Sequence, residues 1–141
     1  MNEIFWPVIA LFALTACIWF LMCFRRISEI RASRIDPQSL ATKDEASAIL
    51  KNVSAAENLR NLLEIPVLFY SVCLSLAVTE TVTQQQLTLA WIYFGLRVLH
   101  SLIHVTYNLV VHRFVLYVLS TLCLFIMWVT FAISLFSQIA A

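Results

Sequence analysis

The sequence holds one glycine and three prolines among 141 residues. A β-barrel with many tight turns draws on far more of both, so that architecture is disfavoured. Charge is scarce too. Asp, Glu, Lys and Arg make up 12% of the chain, against about a quarter in a soluble globular domain. The net charge of +1 leaves no cationic footprint for nucleic acid. The four cysteines, Cys17, Cys23, Cys73 and Cys123, are scattered through apolar runs without any CxxC pair. Neither a zinc site nor a redox motif is indicated, and the thiols read as small buried hydrophobes.

What the sequence does have is apolar residue, 62% of the total, with a mean hydropathy of +0.88. This is the composition of a membrane protein. A helix needs about 20 apolar residues to cross the hydrocarbon core. Segments of that kind lie at 4–24, 54–79, 87–111 and 114–136, within a single domain of residues 1–141. The fold expected is an all-α integral membrane protein, a four-helix up-down bundle. Arg25 and Arg26 end the first span abruptly. The second helix is expected to begin near Ala46, outside the lipid, and to run to about Thr79. TETVTQQQ (79–86) reads as a polar hinge, and His112 and Arg113 as the tight junction between the last two spans. Leu14-Thr15-Ala16-Cys17 has the look of a lipoprotein cleavage box. However, no Lys or Arg precedes the apolar run, which continues past Cys17, so the segment reads as a retained transmembrane helix.

Six of the nine basic residues, Arg25, Arg26, Arg31, Arg34, Lys43 and Lys51, fall in the long polar loop 25–52. Arg113 marks the other junction on that side. The 79–86 hinge and both termini carry no Lys or Arg. The positive-inside rule places the loop and the 112–113 junction in the cytoplasm. A bacterial inner membrane suits so short a chain.

The spans are not purely apolar. Glu57, Arg60, Asn61 and Glu64 recur at i, i+3, i+4 and i+7, one helix face. Arg97, His100, Ser101, His104 and Asn108 form a second face, and Arg113 and Tyr117 lie one turn apart in the fourth span. A charged residue at a helix centre costs roughly 2.5–3.5 kcal/mol on insertion scales, so it is kept where it faces the bundle interior, a partner or a water-filled cavity. Interhelical hydrogen bonding accounts for any one such residue. Three stripes at overlapping depth point to a shared polar interior. Arg60, Arg97 and Arg113 outnumber Glu57 and Glu64 there, which suits an anionic guest, and Arg97 and Glu64 are expected to pair. His100 and His104, one turn apart, lack a third His or Cys at useful spacing, so hydrogen-bonding roles are expected and no metal.

The segment Arg60-Asn61-Leu62-Leu63-Glu64-Ile65-Pro66, together with Arg97-Val98-Leu99-His100 and Arg113, resembles the family of membrane-associated proteins in eicosanoid and glutathione metabolism. The length, the four spans and the long first loop match as well. The resemblance implies a homotrimer with glutathione as cosubstrate, bound in a cleft between subunits. It implies that Arg60, Asn61, Glu64, His100, His104 and Tyr117 contact the tripeptide. Arg25 and Arg26 would reach a neighbour's site, and Arg113 would stabilise the thiolate. The activity implied is a glutathione transferase or peroxidase acting on a lipophilic electrophile from the bilayer. Three positions depart from the family's pattern: Glu57 where relatives often carry Arg, His104 where many have Tyr, and Phe114 where some have Ser. Glu57 and Phe114 favour a rival reading, a non-catalytic member that binds lipid or a membrane-protein partner. A second rival is a small transporter or complex subunit using the stripes as an ion path.

Overall fold

A computed structural model describes residues 2–51 and 53–140. Short 3₁₀ turns cover Asn2–Ile4 and Pro37–Leu40. The helices are α1 (Phe5–Ser33), α2 (Lys43–Ile49), α3 (Ser54–Leu63), α4 (Pro66–Val78), α5 (Gln84–Val105) and α6 (Val110–Ala140). Four stretches are long and apolar enough to cross a membrane: Phe5–Ser33, Ser54–Val78, Gln84–Val105 and Val110–Gln138. No strand occurs among the described residues. The chain is an all-helical, multi-pass integral membrane protein.

α1 extends well past Arg25 and Arg26, since nothing in the following RISEIRAS breaks a helix. It stops where Arg34 adopts the left-handed conformation (φ 51°) and the N–H groups of Arg34 and Ile35 both reach the Ile30 carbonyl. Beyond it, Thr42 and Glu45 form a reciprocal capping box at the start of α2, with Thr42 N–H donating to Glu45 Oε2 at 3.0 Å.

The second helix does not begin near Ala46 and run on. α2 ends at Ile49, and Leu50 turns extended to pack with Leu40 and Ala46 against Ile30, Ile35 and Val53. Lys51 N–H then donates to Glu29 Oε1 at 2.6 Å, and α3 starts afresh at Ser54. The span is broken again at Glu64 (φ −92°, ψ −92°). Pro66 is the cause: it has no N–H to give the Leu62 carbonyl, and it suits the first turn of a new helix.

The remaining boundaries also shift. Thr83 caps α5, its Oγ1 accepting from Gln86 N–H at 3.2 Å, so Gln84–Gln86 belong to the helix and not to the hinge. Gln86 is buried, and its amide Nε2 donates to Met127 O (3.1 Å) and Thr130 Oγ1 (2.6 Å), pinning α5 to α6. α5 ends at Val105. Asn108 leaves the helical face by adopting φ 52°, its N–H closing on Ile103 O at 2.8 Å. The tight turn therefore precedes His112 and Arg113, which lie in the first turn of α6.

The core is a narrow seam between the spans. Phe69 stacks on Tyr93 at 4.5 Å between ring centroids, with Leu11, Leu62, Leu76, Leu124 and Met127 around them. Trp6, Phe12, Phe24 and Phe136 point outward and are largely exposed, as a surface solvated by lipid requires.

Candidate functional site

The break in the second span sets up the site. α3 ends at Leu63, so the carbonyls of its last turn lose their intrahelical donors. Arg97 of α5 fills one vacancy: its Nη2 donates to the Asn61 carbonyl at 2.6 Å. Arg97 is fully buried, and its guanidinium carbon lies 5.9 Å from the centroid of the Tyr117 ring, a cation–π distance. Arg97 and Glu64 do not form an ion pair within 4.0 Å among the described residues. Nη2 goes to the backbone and the cation faces the Tyr117 ring, Nε and Nη1 are buried without a hydrogen-bond partner among the described residues, and Glu64 turns out at the break and is exposed.

The sequence-predicted residues separate into two layers. The outer one is an open cavity of about 290 Å³ lined by Glu57, Arg60, Asn61, Glu64, His104 and Arg113. His104 is buried and is the hub. Arg113 Nη1 donates to its Nε2 at 2.7 Å and also lies 3.2 Å from Nδ1. Asn61 Nδ2 approaches the same Nε2 at 3.5 Å. A guanidinium and an amide nitrogen are both donors, so Nε2 carries the lone pair and Nδ1 the proton. Arg113 also faces Glu57 Oε2 at 4.0 Å, with the two side chains 20% and 51% exposed. So open a pair at that distance is a weak tie.

The inner layer holds Arg97, His100 and Tyr117, none of which lines the cavity. His100 Nδ1–H donates to the Arg113 carbonyl at 3.0 Å, fixing the first turn of α6 against α5. Its ring sits 5.7 Å from that of His104 and 6.3 Å from that of Tyr117. Arg97, expected to face a guest, lies behind the cavity wall. Without it, the cavity holds Arg60 and Arg113 against Glu57 and Glu64, a balance of charge.

Arg25 and Arg26 do not line this cavity. Arg25 is engaged within its own chain, its Nη1 donating to Ser54 Oγ at 3.3 Å and its Nη2 to the Val105 carbonyl at 3.1 Å. It thereby ties α1 to the start of α3 and caps the C-terminus of α5. Arg26 is half-buried. Sequence reasoning missed Asn58, fully buried and accepting from Ser101 Oγ at 3.3 Å. Its signal is the Ala55, Asn58, Leu62 spacing, the buried face of α3, next to the polar face that drew attention.

Residues 4–133 match the model of the MAPEG family. No curated protein and no solved structure matches the chain.

Proposed function

The chain belongs to the MAPEG family, and on that premise we propose that it is a membrane-bound glutathione-dependent transferase or peroxidase acting on a lipophilic electrophile. The observation that carries the reading is Arg113, held by the His104 ring at the edge of a cavity that also offers Arg60, Asn61 and Glu64.

The donor set fits the tripeptide. Glutathione brings two carboxylates, one ammonium and a thiol. Arg60 and Arg113 offer two guanidinium groups, Glu64 a carboxylate and Asn61 an amide, while Glu57 is a second carboxylate for which the tripeptide has no further cation. Arg60 would take a carboxylate, and Glu64 the ammonium. Arg113 would face the thiol. A free thiol has a pKa of about 8.5, and an adjacent guanidinium favours the anion while keeping its own proton. The cosubstrate supplies the nucleophile, so no protein nucleophile is required. Leu63 and Phe114, beside Glu64 and Arg113 in sequence, are 59% and 63% exposed, which gives an apolar approach from the lipid.

The cavity is open, and its volume lies at the lower end for ligand pockets, roughly 300 Å³. A second wall from a neighbouring subunit would complete it, and the homotrimer of the family reading supplies one. Arg26 would stand in that wall, with loop 25–52 on the cytoplasmic side. The test is a glutathione titration of the purified protein, followed by thermal stability. Ligand at a hundredfold excess over Kd adds about 2.7 kcal/mol. A saturable upward shift that Arg60→Ala and Glu64→Ala remove is expected; a well-folded protein that gives no shift at millimolar glutathione sinks the reading.

One observation favours the second reading, a non-catalytic member. Glu57 faces Arg113 at 4.0 Å, so the cation assigned to the thiolate already has a carboxylate nearby. Conjugation of a lipophilic electrophile that is lost in a folded Arg113→Ala protein decides for the enzyme.

A further inference from the structure

Where α1 leaves the hydrocarbon, it carries cations that the cavity does not use. α1 has 29 residues, about 43 Å at about 1.5 Å per residue. Its apolar part, from Phe5 to Phe24, already covers about 30 Å, the thickness of a hydrocarbon core. The remaining turns rise through the headgroup region.

One stripe runs unbroken from the first zone into the second. Phe20, Phe24, Ile27 and Arg31 recur every three or four residues, one helix face. The three apolar members are 66%, 70% and 50% exposed, and Arg31 is exposed as well. Arg34, the exposed C-cap, continues the stripe by a further turn.

The guanidinium groups of Arg31 and Arg34 make no hydrogen bond or ion pair among the described residues. Arg25, nearby on the same helix, contrasts with them, since it is bound into the fold through Ser54 and Val105. The nearby carboxylates of Glu29 and Asp36 are turned to backbone donors and make no ion pair with Arg31 or Arg34 among the described residues. Glu29 Oε1 accepts from Lys51 N–H at 2.6 Å, and Asp36 Oδ1 accepts from Gln38 N–H at 3.1 Å. Side chains on a helix lean toward its N-terminus. For Arg31 that direction is back toward the bilayer, where a long stem lets the head sit at phosphate depth.

We propose that this stripe binds an anionic phospholipid. Phe20, Phe24 and Ile27 lie along the acyl chains, and Arg31 and Arg34 grip the phosphate diester, the bidentate partner guanidinium suits best. A zwitterionic lipid presents the same phosphate. It also brings an ammonium, and the stripe has no carboxylate to receive it.

The test uses the full chain in phosphatidylcholine vesicles, doped with spin-labelled phosphatidylglycerol or spin-labelled phosphatidylcholine. The motionally restricted fraction of each probe reports occupancy of the protein surface. The anionic probe should be preferred, by up to about fivefold for each arginine at low salt. Added salt should shrink the preference. Arg31→Gln/Arg34→Gln should bring the ratio of the two probes close to one, with the thermal midpoint in detergent unchanged. Equal association of both probes with the unaltered protein overturns the proposal. That is also the result if a second copy of the chain covers this face and excludes lipid. A double variant that keeps more than half of the preference overturns it too.

Discussion

At the residue scale, His104 is the side chain on which the site turns. Its ring accepts from Arg113 at 2.7 Å and is approached by Asn61 at 3.5 Å, so one nitrogen orients groups from two other helices. Replacing it with Phe keeps the ring volume and removes the acceptor. Arg113 is then left with only the looser approach to Glu57. A hydrogen bond to a charged group contributes about 1.5–3 kcal/mol. His104→Phe should therefore lower kcat/KM with glutathione by roughly 10- to 100-fold. Thiolate absorbance in the ultraviolet should fall with it, and an undiminished thiolate signal would show that His104 does not position Arg113. Glu57→Gln acts in the other direction. It removes the carboxylate facing Arg113, so glutathione should bind more tightly, by a few-fold for a pair this exposed. Equilibrium titration of the two proteins side by side checks this, and weaker binding by Glu57→Gln would place Glu57 among the groups that hold the tripeptide.

At the scale of elements, the break between α3 and α4 shows what was legible in the sequence and what was not. The polar face of Glu57, Arg60, Asn61 and Glu64 could be read from spacing alone, and all four residues line one cavity. Spacing did not reveal that the face ends in a kink. Pro66 was visible, but how a chain resolves a proline depends on what fills the freed carbonyls, and here Arg97 from another helix does so. The same long-range partner explains why pairing Arg97 with Glu64 looked reasonable from depth but is not made. Helix ends were less legible than helix faces. Leu50 leaves regular helix for packing against Leu40, Ala46 and Ile30, which spacing cannot show, whereas Asn108 ends α5 through a local signal that was overlooked, the left-handed conformation Asn tolerates, closed by its N–H on Ile103 O. The break invites a direct test. Pro66→Ala restores an N–H that can donate to the Leu62 carbonyl and draw α3 and α4 into one helix. The continuous helix would keep Glu64 on the face of Glu57, Arg60 and Asn61, but the Ile65 N–H would compete with Arg97 for the Asn61 carbonyl and so shift the cavity wall. Glutathione affinity should fall at least tenfold while the thermal midpoint moves little, since the lost rigidity and the gained hydrogen bond are each about 1 kcal/mol. Full affinity in Pro66→Ala would mean that the kink serves packing and not the site.

At the scale of the whole molecule, the chain presents an open cavity with its charges balanced. The basic residues Arg25 and Arg26 looked equivalent in sequence. The structure separates them: Arg25 braces its own chain through Ser54 and Val105, whereas Arg26 is half-buried and lies off its own cavity. If subunits assemble so that Arg26 of one completes the cavity of the next, the two halves of a site lie on different chains. Arg26→Gln and Arg113→Ala should then each be nearly inactive alone. Co-expressed in equal amounts, they should recover activity, because some interfaces join an intact Arg113 to a neighbour's intact Arg26. In a trimer that carries both variants one site in three is of that kind, so about a third of the unaltered activity is expected from the mixed trimers. Sites built within single protomers would recover nothing from the same mixture. Turnover by the co-purified variants, joined through two different affinity tags, therefore measures whether the cavity belongs to one chain or is shared.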